Sequence, residues 1–199
     1  MRALAVLLAL AATPALATSL EIDVAGEANG TIVIDLFEDV APQHVAQITA
    51  LAEEGAYDGV AFHRVIEGFM AQTGDVANAN MGRADYNPRR AGTGGSDLPD
   101  LPAEFSRLPH ERGTIGAARS SSPNSANSQF FINFKDNSFL NGQYTVYGRV
   151  ISGMEHVDRI ARGEPPASPD RMIRVRVAAD MASGAGTDAD GVAAEGEGQ

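Results

Sequence analysis

The 199-residue chain contains no cysteine and no tryptophan. Without a thiol there is no disulfide, no thiolate metal site and no cysteine nucleophile. A chain of this length can still bury a core large enough to stand without cross-links. Positive charge is scarce: 15 basic residues face 26 acidic ones, Lys135 is the single lysine, and the formal net charge is −11. Such a chain repels a phosphate backbone, so no nucleic-acid partner is expected. The few histidines (His44, His63, His110 and His156) form no closely spaced pair, so no metal site is expected. Gly92-Thr93-Gly94-Gly95 lacks the lysine and hydroxyl residue of a phosphate loop, and no G-x-S-x-G elbow is present. Ser120-Ser121-Ser122 reads as a polar loop rather than a nucleophile. Beyond the N-terminus there is no apolar run long enough to cross a membrane.

What the chain does have is turn formers, with 21 glycines and 10 prolines, alongside 44% hydrophobic residues. That balance favours short strands over a helical bundle. Residues 1–17 read as a signal peptide: Arg2 is the positive start, Ala3–Ala12 is apolar, Pro14 breaks the run, and Ala15-Leu16-Ala17 is a small-x-small cleavage pattern. Cleavage after Ala17 would remove Arg2 and take the charge from −11 to −12. Such a product has no stable membrane association. Residues 182–199 are mostly glycine, alanine and acids and are expected to form a disordered tail, which leaves 18–181 as the folded domain.

Within that domain Leu20, Ile22 and Val24 alternate with Glu21 and Asp23, and Ile32, Ile34 and Leu36 repeat the pattern after Asn29-Gly30. Two half-buried strands joined as a hairpin follow from this. Pro42–Glu54 has helical spacing at Val45, Ile48, Leu51 and Ala52, with proline suited to the first turn and Gly55 to the stop. Further strands are expected at Val60–Ile66, Phe69–Gly74, Thr114–Ala118, Phe130–Phe134, Thr145–Val150 and Met172–Ala178, with a short helix at Met154–Ala161. In the last strand Ile173, Val175 and Val177 should face one way. Eight strands without a βαβ rhythm predict a mainly β fold, a mainly antiparallel barrel with the two α-helices covering its open ends. The aperiodic stretch from Asp75 to Leu108 is long enough to suggest a functional loop.

Three segments carry the chemistry: Phe62–Asp75, Ser128–Asn133, and Phe139–Tyr144 followed by Val146–Val150. Met70 and Gln72 lie two apart on a strand and share a face, as do Gln129 and Phe131. A face that pairs an amide with a large apolar group suits a peptide: the apolar group takes a side chain and the amide bonds the backbone. From spacing alone, Phe69, Met70, Phe131 and Leu140 fit an ordinary core equally well.

FHRVIEGFMAQTGD at Phe62–Asp75 and SQFFIN at Ser128–Asn133, with GTGG at Gly92–Gly95 between them, resemble the signature segments of cyclophilins. The resemblance runs from about Leu20 to Val177, and Pro102–Gly116 is similar to the bacterial branch. It implies a closed eight-stranded antiparallel barrel capped by two α-helices, and a peptidyl-prolyl cis/trans isomerase that acts on unfolded or extended proline-containing polypeptides without a cofactor. Together with the signal peptide it implies a periplasmic location and a role in folding exported proteins. A monomer is expected. Arg64 matches the catalytic arginine, and Phe69, Met70, Phe131 and Leu140 the proline pocket. Gln72 and Gln129 match residues that bond the substrate backbone, and Ala118, Arg119 and Ser120 the loop along the bound peptide. His63 and Phe139 match the pocket rim, and Gly92 the border of a neighbouring subsite. The chain departs from many eukaryotic members at Phe139, where they carry tryptophan, and at Tyr144, where they carry histidine. A binding module or holdase chaperone that keeps the groove without relevant catalysis is the alternative, and the presence of Arg64 favours catalysis.

Overall fold

The computed structural model describes residues 18–179; the expected signal peptide and acidic tail lie outside them. Strands β1 (Thr18–Ala25) and β2 (Gly30–Leu36) form the expected hairpin, with Leu20 opposite Ile34 and Ile22 opposite Ile32. Leu20, Ile22, Val24, Ile32, Ile34 and Leu36 all point into the core. Gly30 sits at φ +146°, and the ring of His156 occupies the space where a Cβ would be. A side chain there would be both strained and blocked.

The remaining strands are β3 (Arg64–Ile66), β4 (Met70–Thr73), β5 (Thr114–Ala117), β6 (Phe130–Asn133), β7 (Val146–Ser152) and β8 (Arg171–Ala179). All pair antiparallel in one eight-stranded sheet of order β3-β4-β6-β5-β7-β2-β1-β8. The expected closed barrel is therefore corrected to a curled half-barrel with β3 and β8 at its edges: no ladder joins them among the described residues. The cause lies in the run Val60–Ile66, expected as one strand. It breaks at Phe62-His63. Its first half meets β8 only through an Ala61–Arg171 bridge and two hydrogen bonds, Phe62 N–H to Asp170 O and Met172 N–H to Val60 O, while its second half pairs with β4.

In β8 the register to β1 shifts between Asp23 and Val24, which face Arg174 and Met172. Ile173 is the extra residue of this bulge, and its side chain turns outward at 50% exposure while Met172 and Val175 are buried. The expected common face of Ile173, Val175 and Val177 is lost for that reason.

Helix α1 (Pro42–Glu53) buries His44, Val45, Ile48, Leu51 and Ala52 and packs on β8. Its N-cap residue, Ala41, offers no side chain to the open N–H groups. Glu104, from the long loop, takes their place: Oε1 accepts from Gln43 N–H at 3.1 Å and Oε2 from His44 N–H at 3.0 Å. Helix α2 keeps only Met154–Val157 and packs on β2. It is shorter than the expected Met154–Ala161 because the carboxylate of buried Asp170 draws Ala161 N–H away from the helix at 2.7 Å. A second buried carboxylate, Asp75, pins the 76–95 loop by accepting from Asn78, Gly92 and Gly94 N–H groups at 2.7–3.0 Å.

Candidate active site

Two rows of residues cross β3, β4, β6 and β5 at neighbouring registers. Val65, Ala71, Ile132 and Ile115 stand opposite one another and belong to the main core. The adjacent row is Arg64, Gln72, Phe131 and Gly116. Successive strand residues alternate faces, so this second row lies on the outside of the sheet. Met70, Phe131, Leu140 and Ala118 form an apolar cluster of their own, with Ile66, Phe69 and Tyr144 packed against it, separate from the main core. The ordinary-core reading of these residues is thereby excluded.

A pocket of about 310 Å³ opens on this face, lined by Arg64, Phe69, Met70, Gln72, Ala118, Arg119, Phe131, Leu140 and Tyr144. Leu140 is carried there by a short 3₁₀ turn, Ser138–Leu140. Phe139 stands at the lip, 62% exposed, with its ring 5.6 Å from that of Phe69. The backbone of Phe69 is anchored from behind, its carbonyl accepting from Phe134 N–H and from Asn137 Nδ2, both at 3.0 Å.

A second cavity of about 410 Å³ adjoins the first and shares Gln72, Ala118 and Arg119 with it. Gly92, Ser120 and Gln129 line this second cavity rather than the apolar one. His63, expected at the rim, lines neither. It is buried against Gly92, where a Cβ would stand 2.8 Å from its ring, and burial pushes its imidazole pKa down.

The polar groups divide by what already holds them. Arg64 makes one contact, Nε to Glu164 Oε2 at 3.4 Å, and both side chains are substantially exposed. Its other guanidinium donors point to no acceptor among the described residues. Gln72 donates Nε2–H to Gln129 Oε1 at 2.9 Å and keeps its own oxygen free. Gln129 is more heavily held: beyond that bond, its Nε2 donates to Gly92 O at 3.1 Å and Gly94 O at 2.7 Å. Both ends of the Gln129 side chain are thus held inside the protein, Oε1 by Gln72 and Nε2 by the glycine loop.

Two supporting residues were not singled out for the site by sequence. His110, considered above only as a metal ligand, stacks on Phe131 with centroids 5.8 Å apart and stands edge-on to Tyr144. Its Nδ1 lies 3.3 Å from Asn133 Nδ2 and its Nε2 3.4 Å from Tyr144 O. Gly116 lets the Phe131 ring lie on bare backbone, where a Cβ would come within 2.2 Å of Cζ. Gly116 is placed by the β5–β6 register and His110 by loop hydrogen bonds to Asn133, Asn137 and Asn141, neither of which a local pattern discloses.

The site is thus an apolar pocket with an available guanidinium and a half-free amide beside it, on the outer face of an antiparallel sheet. The chain belongs to the cyclophilin-type peptidyl-prolyl cis-trans isomerases: the family model "Cyclophilin type peptidyl-prolyl cis-trans isomerase/CLD" matches residues 20–177. A Brucella suis protein named "Probable peptidyl-prolyl cis-trans isomerase" is 57% identical over 157 residues, which cover 76% of this chain and 80% of that one. The crystal structure of cyclophilin AquaCyp293 from Hirschia baltica is 27% identical with a TM-score of 0.68, covering 82% of this chain and 74% of that one. A Cryptosporidium parvum cyclophilin-type isomerase, solved in the presence of the dipeptide Ala-Pro, is 25% identical with a TM-score of 0.68, covering 81% and 99%.

Proposed function

We propose that Arg64 is the catalytic residue of this isomerase and that the 310 Å³ pocket seats the substrate proline. The observation that carries this reading is the outward row Arg64–Gln72–Phe131, which sets a guanidinium with N–H donors still open beyond its contact to Glu164, and a free amide oxygen, directly beside an apolar pocket. The Ala-Pro dipeptide used with the Cryptosporidium relative supports a proline-containing ligand for the same groove.

Rotation about an Xaa-Pro bond is slow because it breaks amide resonance, with a barrier of ~18–20 kcal/mol. In the twisted transition state the proline nitrogen is pyramidal and carries a free lone pair. A donor aimed at that nitrogen bonds the twisted form better than the planar one, and that difference accelerates the step. Guanidinium suits this role because it stays charged and presents fixed N–H groups. Phe131, Met70 and Leu140 hold the ring while the preceding carbonyl swings. Gln72 supplies the acceptor that steadies the peptide backbone. No bond is made or broken, so no nucleophile or proton transfer enters.

The test is isomerisation of a short Xaa-Pro peptide by the chain from Thr18, with Arg64→Ala and Arg64→Lys beside it. Loss of one preorganised donor is expected to lower kcat/KM by about 10²–10³-fold in Arg64→Ala, with KM less affected. An Arg64→Ala variant as active as wild type would remove Arg64 from the mechanism.

The N-terminal pattern supports export and, with it, a role in folding exported proteins as a periplasmic monomer. Cleavage after Ala17 would leave Thr18, the first residue of β1, so the sheet would stay whole. Finding the unprocessed chain in the cytoplasm of the source cell would overturn this part.

A further inference from the structure

Arg119 stands where the two cavities meet and lines both. Its guanidinium is folded back and fixed: Nη1 donates to Ser120 O at 2.9 Å, Nη2 donates to Gln143 O at 2.9 Å, and the guanidinium carbon lies 4.3 Å over the Tyr144 ring. These partners are carbonyls and a ring. None is a carboxylate, and Arg119 forms no ion pair among the described residues. The other cation of the pocket, Arg64, faces Glu164. Arg119 therefore presents a held, unneutralised positive charge to the groove, with N–H capacity on Nη2 beyond the bond to Gln143.

We infer that Arg119 makes this isomerase selective for Xaa-Pro segments with an acidic side chain within two residues of the proline. This rests on the proline-pocket reading above. The reach is set by geometry: the cavities share a wall, and two residues of extended chain span about 7 Å. Asp100, on the second cavity, accepts from Asn127 Nδ2 at 3.1 Å but keeps its negative charge, so it opposes an acidic side chain at its own end of that cavity and confines the preference to positions that reach Arg119; hydroxyl and amide groups make up most of the remaining polar lining. A carboxylate arriving at Arg119 gains a partner whose conformation is already fixed, so little side-chain order is lost on binding. The net charge of −11 acts the other way, repelling acidic peptides at long range. At about 0.15 M salt the screening length is about 8 Å, which suppresses that field while leaving a direct contact.

The experiment compares peptides carrying Glu, Gln or Lys at each position flanking a common Xaa-Pro bond, with the full chain and with Arg119→Gln at about 0.15 M salt. Both kcat/KM and equilibrium binding are read. At one position at least, wild type should prefer Glu over Gln by about two- to fivefold, as for a partly exposed ion pair. The Glu/Gln ratio should fall to about one in Arg119→Gln, whatever that variant does to overall turnover. Equal handling of Glu and Gln by wild type, or a preference that survives in Arg119→Gln, overturns the inference. Turnover of the Gln peptide reports separately on the proline-pocket reading, and the binding ratio still decides the role of Arg119 if turnover fails.

Discussion

Glu104→Gln should cost this protein about 1–3 kcal/mol of stability, the sum of a lost helix cap and a lost charge at the helix N-terminus. In the first turn of α1, Pro42 has no N–H, and the next two donors, Gln43 and His44, end on Oε1 and Oε2 of Glu104 at 3.1 and 3.0 Å. His44 Nδ1 reaches Oε2 as well, at 2.6 Å. Glutamine has the same shape but one acceptor oxygen fewer. Its NH₂ must face either Gln43 N–H or His44 N–H, donor against donor, and the negative charge at the positive end of the helix is gone. Burial alone would raise the Glu104 carboxyl, but the hydrogen bonds from His44 and Gln43 outweigh it and hold its pKa below the ordinary 4.5. A carboxyl depressed in the folded state stabilises fully above its ordinary pKa and loses that contribution as pH falls through the lower folded value. Urea unfolding reads both effects. At pH 7 the midpoint should drop with the slope unchanged, and below pH 4.5 wild type should converge on the variant. A variant matching wild type at pH 7, or a gap that stays constant into acid, would refute the reasoning.

Gln129→Glu sets a carboxylate oxygen against the carbonyls of Gly92 and Gly94, now 3.1 and 2.7 Å from the amide nitrogen. The 92–95 loop should be driven off, with a stability loss of about 1–3 kcal/mol seen in thermal unfolding and a rise in KM. An unchanged midpoint would show that this amide is not a strut. His110 is 1% exposed, and burial lowers its pKa from 6.5, only partly offset by the Tyr144 carbonyl. The unfolded chain therefore takes up this proton first, and stability should fall as pH drops below 6.5 toward the folded value. His63 shifts the same way, so NMR titration of each ring is the check; a His110 midpoint at or above 6.5 would contradict its burial as the controlling cause.

The parts legible in the sequence are those set by local period. Leu20-Ile22-Val24, Ile32-Ile34-Leu36 and the 45-48-51-52 spacing of α1 each declare a buried face, and the structure buries those faces. The pairing of Met70 with Gln72 and of Gln129 with Phe131 on common faces follows from the same rule. What failed depended on contacts distant in sequence. Val60–Ile66 looks like one apolar strand, yet its two halves pair with different partners, and no residue type within it marks the break at Phe62-His63. Ile173 looks inward by alternation, but the shift that turns it out is set by how β8 meets β1. Helix α2 ends early through the carboxylate of Asp170, which lies beyond any helical signal in Met154–Ala161.

The site shows the same division in its chemistry. Residue type nominated two glutamines for the substrate backbone, and only the hydrogen-bond network separates them. Gln129 has both ends committed, one to Gln72 and the other to the glycine loop. Gln72 is held by a single bond through its nitrogen, which orients the side chain and turns its oxygen toward neither partner. On the function proposed above, an amide so placed would pre-order the acceptor for a peptide N–H, and the cost of fixing its rotamers would be borne in the free protein rather than on binding. Phe131 is likewise placed by its neighbours: its ring stacks with His110 and lies against the bare backbone of Gly116. The Phe131 wall of the pocket is thus packed closely by its neighbours. Arg64, with one long contact to Glu164, keeps its remaining N–H donors open beside that wall.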